Sequence, residues 1–206
     1  MVGYITYDQT MNVIKRDEMK KKVGILGGTF DPPHIGHLII ANEVLHRQNL
    51  DEIWFIPTNE PPHKANAMSS NKHRKNMVEL AIATNDHFYL HDIELQRKGK
   101  SYTYDTIKQL LEMYDHQFYF IIGADMIEYL PKWNKIDELM KMTQFIGVKR
   151  STYKTETDFP VLLVDIPMID VSSTAIRERI RHHVSAQYLI QDSVYVYIKE
   201  HQLYDV

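Results

Sequence analysis

The chain has 206 residues, of which 44% are hydrophobic, and this length suits one α/β domain with a well-filled core. Its net charge of -3 gives no electrostatic case for nonspecific binding to a nucleic-acid backbone, so no nucleic-acid partner is predicted. The sequence contains no cysteine, which excludes disulfides, thiolate metal sites and cysteine nucleophiles. We predict neither a membrane partner nor a signal peptide, and the expected location is the cytoplasm.

Residues 1–19 precede the first predicted strand and resemble an appendage. Met19 opens a short basic run, Lys20-Lys21-Lys22, which leads directly into the apolar residues of that strand. We therefore expect an N-terminal extension over residues 1–19, either mobile or lying before a native start at Met19. One domain is expected over residues 20–206.

Apolar runs alternate with helical patterns from Val23 onward, which predicts βαβ units and a mostly parallel sheet. The predicted strands are residues 23–26, 52–57, 88–93, 118–122, 144–148 and 161–164. The predicted helices are residues 35–48, a segment from Ser69 or Ser70 to about Thr84, and residues 104–114, 172–183 and 193–202. The fold class that follows is a single Rossmann-like, doubly wound α/β domain with helices on both faces of the sheet.

The loop between the first strand and its helix carries the strongest chemical signal. Gly27-Gly28 ends the strand, and His34 and His37 lie three residues apart at the start of the helix. Paired glycines let the backbone approach a bulky anion, while the helix directs N–H groups and a positive dipole end at the same point. Either histidine alone would be better explained as an exposed residue of a Pro-Pro turn. Together, these features predict a phosphate site, in which both imidazoles can donate hydrogen bonds to phosphoryl oxygens.

Other phosphate-binding patterns fit the sequence badly. It has no G-x-x-x-x-G-K-[ST] segment, so P-loop chemistry is unsupported. It also lacks a G-x-G-x-x-G loop with an acidic residue ending the second strand, so a bound dinucleotide cofactor is unsupported.

Residues 27–37, GGTFDPPHIGH, contain the H-x-G-H signature of the nucleotidyltransferase superfamily, and the whole string is similar to that of bacterial nicotinate-nucleotide adenylyltransferases. Residues 171–177, VSSTAIR, resemble the I-S-S-T-x-x-R segment of that family. Residues 97–106 resemble its R-x-G-x-S-Y-T-x-D-T, while residues 123–125 and 130–133 resemble its G-x-D and L-P-x-W. Residues 61–64, Pro-Pro-His-Lys, match as well. The resemblance covers residues 20 to about 204.

The resemblance implies attack of the 5′-phosphate of nicotinate mononucleotide on the α-phosphorus of ATP, giving deamido-NAD and pyrophosphate. It implies Mg²⁺ as the cofactor, held mainly by phosphates and water, with no metal site built from the protein. The implied catalytic residues are His37, His34 and Arg177. The implied ATP-binding residues are Gly27, Gly28, Thr29, Phe30, His34, His37, Gly123, Asp125, Ser172, Ser173, Thr174 and Arg177.

The residues implied to bind the mononucleotide are Lys64, Thr103, Thr106 and Trp133. Trp133 offers a flat face for the pyridine ring, and backbone N–H groups near Thr103 and Trp133 could hold the nicotinate carboxylate. Arg74 is a further candidate cation over the phosphates.

Several alternatives remain open. Nicotinamide mononucleotide or phosphopantetheine could replace nicotinate mononucleotide as the acceptor, although Thr29, His34 and Arg177 depart from the phosphopantetheine pattern. A non-catalytic nucleotide sensor would share the whole site. A tRNA synthetase fragment would share the H-x-G-H signature, but residues 141–144, KMTQ, lack the second lysine of that class's K-M-S-K-S, so this interpretation is set aside. Apolar helix residues are explained as well by the core as by a homo-oligomer interface.

Overall fold

The computed structural model describes residues 4–5, 20–60, 67–149, 157–167 and 169–205. Within these ranges, seven parallel strands form one sheet in the order β1-β4-β3-β2-β5-β6-β7. The strands are β1 (Tyr4–Ile5), β2 (Lys22–Gly28), β3 (Glu52–Pro57), β4 (Phe88–His91), β5 (Gln117–Gly123), β6 (Gln144–Lys149) and β7 (Val161–Asp165).

The helices are α1 (Ile35–Arg47), α2 (Asn71–Ile82), α3 (Ile93–Gln96), α4 (Thr103–Met113), α5 (Ala124–Ile127), α6 (Ile136–Met142), α7 (Ser173–Arg181) and α8 (Asp192–Glu200), with a 3₁₀ turn at Leu130–Lys132. In the described part of the chain, no helix is both long and apolar enough to cross a membrane.

Helices cover both faces of the sheet, as predicted. Every residue of β3 is buried, and its side chains alternate between two apolar clusters. Ile53 and Phe55 pack in one cluster with residues of α1, α2, α7 and α8, whereas Trp54 and Ile56 pack in the other with residues of α4 and α6. A strand buried on both faces reads as a continuous apolar run, which is why β3 and β5 were recognisable in the sequence.

The structure differs from the sequence prediction in short elements. The strand predicted over residues 88–93 ends at His91, and Ile93–Gln96 forms a helical turn. Helices α5 and α6 and the 3₁₀ turn were not predicted, because segments of three to seven residues show too little periodicity. Ser70, whose Oγ accepts the N–H of His73 at 3.3 Å, caps α2.

The predicted N-terminal extension lies outside the described residues, apart from Tyr4–Ile5. The backbone of this pair lies in parallel register with Leu90 and His91 of β4. Whether the native chain starts at Met19, and whether the extension is mobile, stay predictions.

The strand order places a crevice at the carboxyl ends of β2 and β5. β2 pairs with β3 on one side and with β5 on the other, so the winding of the chain reverses between β2 and β5. Open α/β sheets bind ligands at this switch point. The segment with paired glycines, Gly27-Gly28, ends β2 there, and Gly123 ends β5.

Candidate active site

We call residues 27–37, from the end of β2 to the first turn of α1, the phosphate loop. Asp31 is buried, and the hydrogen bonds of its carboxylate hold the loop in place. One carboxylate oxygen of Asp31, Oδ2, accepts the backbone N–H groups of Met68 at 2.7 Å and Ser69 at 3.3 Å. The other, Oδ1, accepts the hydroxyl of Tyr204 at 2.7 Å. One carboxylate therefore ties the loop to the segment before α2 and to the C-terminal end of the chain.

Arg74 supports the same loop from inside the protein. Its side chain is completely buried, and its Nη1 donates to the carbonyl of Thr29 at 2.8 Å while Nη2 donates to Oδ1 of Asn71. Burial lowers the pKa of the guanidinium, and the negative charge of Asp31 raises it in part. The expectation that Arg74 assists as a cation over phosphates is wrong, because the group has no access to a ligand.

The two histidines of the H-x-G-H segment stack on each other. Their ring centroids lie 3.7 Å apart with an angle of 26° between the planes. The backbone N–H of His34 donates to Nδ1 of His37 at 3.1 Å. Because Nδ1 accepts, the neutral ring of His37 carries its proton on Nε2, which makes Nε2 a hydrogen-bond donor.

Gly36 lies between the His34 ring and Val171, with little room for a side chain. A Cβ atom at this position would lie 3.1 Å from Nδ1 of His34 and 3.1 Å from Cγ1 of Val171. A side chain at residue 36 would therefore require Val171, two residues before α7, or the His34 ring to shift by a few tenths of an ångström. Glycine lets the two motif segments meet.

The backbone N–H groups at the start of α1 are largely engaged by protein atoms. Ile35 donates to the carbonyl of Leu189 at 2.9 Å, and the N–H of His37 donates to the carbonyl of His34 at 2.9 Å. With the N–H of His34 bonded to the His37 ring, these three N–H groups have acceptors within the protein. That the start of α1 faces phosphate stays a prediction, and the two imidazoles are further candidate donors at this point.

Helix α7 docks on the phosphate loop through two side chains that bond loop carbonyls. Ser173 Oγ donates to the carbonyl of Pro32 at 2.8 Å, and Arg177 Nη1 donates to the carbonyl of Asp31 at 2.7 Å. The two motifs, which lie far apart in the sequence, therefore share one site.

The remaining hydroxyls of the α7 motif act within the helix. Ser172 caps α7, since its Oγ accepts the N–H of Ala175 at 3.2 Å. Thr174 Oγ1 accepts a hydrogen bond from Nη2 of Arg177 at 3.2 Å. Both serve to orient the helix start and the guanidinium, and both residues are exposed beside the loop.

A cavity of about 210 Å³ opens beside the phosphate loop at the carboxyl ends of β2 and β5. Its wall combines apolar and aromatic side chains with a few polar groups. The lining residues are Gly27, Gly28, Thr29, Thr58, Glu94, Ser101, Tyr102, Thr103, Phe120, Ile121, Ile122, Met126, Trp133 and Asn134.

Trp133 and Thr103 both line this cavity, as expected for residues that bind the mononucleotide. The Trp133 ring is half-buried, with its centroid 5.8 Å from that of Phe120 and 5.9 Å from that of Phe145. The backbone N–H of Trp133 donates to the carbonyl of Leu130 at 3.0 Å, so it is not the group to hold a carboxylate. The start of α4 at Thr103 is better suited, because the first N–H groups of a helix have no acceptor within it.

Thr106 bonds to Glu94, one of the residues that line the cavity. It is buried, its Oγ1 donates to Oε1 of Glu94 at 2.7 Å, and it accepts Nη2 of Arg97 at 2.9 Å. Thr106 does not line the cavity, and its hydroxyl bonds with Glu94 and Arg97 indicate a supporting role, so contact with substrate stays a prediction.

Glu94 is the charged residue that the sequence analysis missed. Burial raises the pKa of its carboxyl, whereas the hydrogen bond from Thr106 and the charge of Arg97 lower it. Its segment resembled the end of a strand, and its proximity to the R-x-G-x-S-Y-T-like segment was the one signal that could have identified it.

The other predicted residues differ in how much the structure says of them. The ring of Phe30 is buried, and its centroid lies 4.9 Å from that of His37. Gly123 directly precedes α5. Lys64 lies outside the described residues, and so does the side chain of Asp125. In the described ranges, no group of three or more His, Asp or Glu side chains could hold a metal ion.

Comparison with known proteins gives the same class as the fold and the site. Residues 25–179 match the family model described as cytidylyltransferase-like. A probable nicotinate-nucleotide adenylyltransferase of Oceanobacillus iheyensis is 57% identical over 89% of this chain and 97% of the relative. The nicotinate-nucleotide adenylyltransferase of Bacillus subtilis is 54% identical over 90% of this chain and 99% of the relative.

The fold is also that of a solved structure, nicotinic acid mononucleotide adenylyltransferase of Plasmodium falciparum complexed with NaAD. That structure superposes with a TM-score of 0.76 at 24% identity, over 89% of this chain and 97% of the other. Fold, site and relatives thus define an enzyme of the nucleotidyltransferase class. The chain belongs to the cytidylyltransferase-like family and, within it, to the nicotinate-nucleotide adenylyltransferases.

Proposed function

We propose that the chain transfers the adenylyl group of ATP to nicotinate mononucleotide and releases deamido-NAD and pyrophosphate. One observation carries the proposal: the phosphate loop with its stacked histidines shares Gly27, Gly28 and Thr29 with the wall of the aromatic cavity. A ligand ring in the cavity therefore has its phosphate close to the donors of the loop. This is the arrangement that joining two nucleotides requires.

The reaction breaks the bond between the α- and β-phosphates of ATP and forms a bond from an oxygen of the mononucleotide phosphate to the α-phosphorus. The attacking phosphate is already an oxyanion near neutral pH, so the step requires neither a general base nor a covalent enzyme intermediate. The task of the protein is to orient two polyanions and to stabilise the charge of the transition state.

We assign this stabilisation to His37 and Arg177. The Nδ1 of His37 is the acceptor of a backbone N–H, which leaves Nε2 to donate to an α-phosphate oxygen. The guanidinium of Arg177 is anchored by Nη1 on the loop carbonyl of Asp31, so its charge lies beside the path of the departing pyrophosphate. His34, which stacks on His37, orients that ring.

We further propose that Mg²⁺ accompanies ATP and is coordinated by the triphosphate and water. The described residues contain no group of His, Asp or Glu side chains suited to a metal cage. When bound, the ion would neutralise charge on the triphosphate. No step assigned to the protein's own residues depends on its position.

For the acceptor, we propose that the pyridine ring stacks against Trp133 and that its carboxylate lies at the start of α4. The positive end of a helix dipole favours a carboxylate over a neutral amide, and Thr103 brings that helix end to the cavity. This preference would select nicotinate over nicotinamide mononucleotide.

The cytoplasmic location stays a prediction that rests on the absence of cysteine.

The test is pyrophosphate release from ATP and Mg²⁺, with nicotinate mononucleotide, nicotinamide mononucleotide and phosphopantetheine as parallel acceptors. We expect the highest kcat/KM with nicotinate mononucleotide. Turnover only with another acceptor would be consistent with adenylyl transfer, but it would refute the proposal that the cavity binds nicotinate mononucleotide. ATP binding with no pyrophosphate release from any acceptor would identify a nucleotide sensor.

A further inference from the structure

Tyr204 lies beyond α8, near the C-terminal end of the chain and outside the motif segments that mark the site. Its side chain is buried, and its hydroxyl donates to Oδ1 of Asp31 at 2.7 Å. Burial and the negative charge of Asp31 raise the pKa of the phenol, so the hydroxyl stays protonated and acts as a donor. The positive charge of Arg177 lowers the pKa of the same phenol.

Asp31 connects Tyr204 to Arg177 within one residue. Its carboxylate accepts Tyr204, and its backbone carbonyl accepts Nη1 of Arg177 at 2.7 Å. The N–H groups of Met68 and Ser69 bind the other carboxylate oxygen, so Tyr204 completes the set of donors around the carboxylate. Three donors therefore hold the side chain of Asp31, and the backbone of the same residue carries the carbonyl that anchors Arg177.

We infer that Tyr204 is a positioning residue for the ATP phosphates, acting through Asp31 on the guanidinium of Arg177. The phenol itself touches no substrate. A loosened Asp31 would let the carbonyl turn, and Arg177 would lose the anchor that directs its remaining N–H groups into the crevice. The inference rests on the proposed function in one respect, namely that Arg177 binds phosphates of ATP.

A purely structural role for Tyr204 makes a different prediction. If Tyr204 only fills the core, its substitution should lower the stability of the protein or weaken the binding of both substrates to the same extent. A positioning role affects ATP alone, because the mononucleotide cavity does not include Asp31 or Arg177. The two roles are therefore separated by measuring each substrate independently.

The experiment uses Tyr204→Phe, which keeps the ring and removes the hydroxyl. Calorimetry of the full chain with the magnesium complex of ATP should show binding about 5- to 10-fold weaker than in the wild type. The KM for nicotinate mononucleotide should be unchanged. Binding is measured at a temperature at which circular dichroism shows the variant to be fully folded.

Tyr197→Phe is the matched control. The Tyr197 hydroxyl also links the C-terminal region to α2, since it accepts the amide of Asn76 at 2.9 Å and lies 2.9 Å from Nδ1 of His73. Neither of these hydrogen bonds involves the phosphate loop. We expect Tyr197→Phe to bind ATP as the wild type does, even where its loss of stability matches that of Tyr204→Phe.

A double-mutant cycle with Arg177→Ala tests the route through Asp31. If Tyr204 acts through Arg177, Tyr204→Phe should leave ATP binding unchanged once Arg177 is absent. Equal weakening in both backgrounds, or wild-type binding by Tyr204→Phe alone, would overturn the inference. The calorimetry needs no turnover, so a chain that binds ATP without releasing pyrophosphate would refute the proposed function and still give a result here.

Discussion

The phosphate loop is fixed by charged and hydroxyl side chains that bond its own backbone, whereas the neighbouring cavity is walled mainly by apolar and aromatic side chains. Arg74, Ser173 and Arg177 each donate to a carbonyl of the loop. On the cavity side, Phe120 and Trp133 contact each other edge to face. The loop is therefore built for an exact placement of donors, and the cavity for recognition of a ring.

This difference predicts which kinetic constant each half controls. Donors that act on developing charge contribute in the transition state and raise kcat, whereas ring contacts bind ground state and transition state alike and lower KM. The following predictions test this division, beginning with the largest expected effect.

Replacing His37 by alanine should reduce kcat by roughly 10²- to 10³-fold, which corresponds to about 3 kcal/mol for one lost oxyanion donor. The KM for nicotinate mononucleotide should change little, because His37 does not line the ring cavity. Steady-state kinetics of pyrophosphate release would measure both constants. His46→Ala, at the exposed far end of the same helix, is the control. A His37→Ala enzyme that kept most of its kcat would refute the assigned role.

Replacing Arg74 by methionine should destabilise the protein by about 3 kcal/mol, because the Thr29 carbonyl would lose its donor and the buried Asp31 carboxylate its nearby positive charge. Urea unfolding at neutral pH would measure the loss. Lys72→Met, on the exposed side of the same helix, should cost almost nothing. Equal stability of the two variants would show that Arg74 does not support the loop.

A buried histidine beside Trp54 should make the stability of the protein depend on pH. His91, stacked on Trp54, is buried, and burial lowers its pKa from 6.5 to about 4. Between these two values the unfolded chain binds a proton that the folded chain does not, so stability falls as the pH drops from about 6.5 towards 4. At pH 5 the expected loss from this residue is about 2 kcal/mol.

The measurement is urea unfolding at pH 7 and pH 5 for the wild type and His91→Asn, which cannot titrate. The variant should lose less stability between the two pH values than the wild type does. His87→Asn, at an exposed histidine just before the same strand, is the matched control. An unaltered slope in His91→Asn would mean that His91 is not the group responsible.

Most of the fold could be predicted from the sequence because central strands such as β3 and β5 are continuous apolar runs and the longer helices are periodic. The two-residue strand β1 was not predicted, since so short a segment carries no pattern. The meeting of the two motifs could be anticipated only through a family resemblance, since Ser173 and Pro32 are distant in the chain. The engagement of the α1 N–H groups could not be anticipated, because the acceptor for Ile35 is a carbonyl of Leu189 from another region. The burial of Arg74 could not be predicted either, because its acceptor, the Thr29 carbonyl, is brought to it by tertiary packing.

The most direct test of the two-part site is to vary ATP and nicotinate mononucleotide separately for Arg177→Ala and Trp133→Ala. Arg177→Ala should lower kcat and raise the KM for ATP while leaving the KM for the mononucleotide unchanged. Trp133→Ala should raise the KM for the mononucleotide roughly 10-fold, as expected for the loss of one stacking partner, with the KM for ATP unchanged. Equal changes in both KM values for both variants would contradict the division of the site into a phosphate loop and a ring cavity.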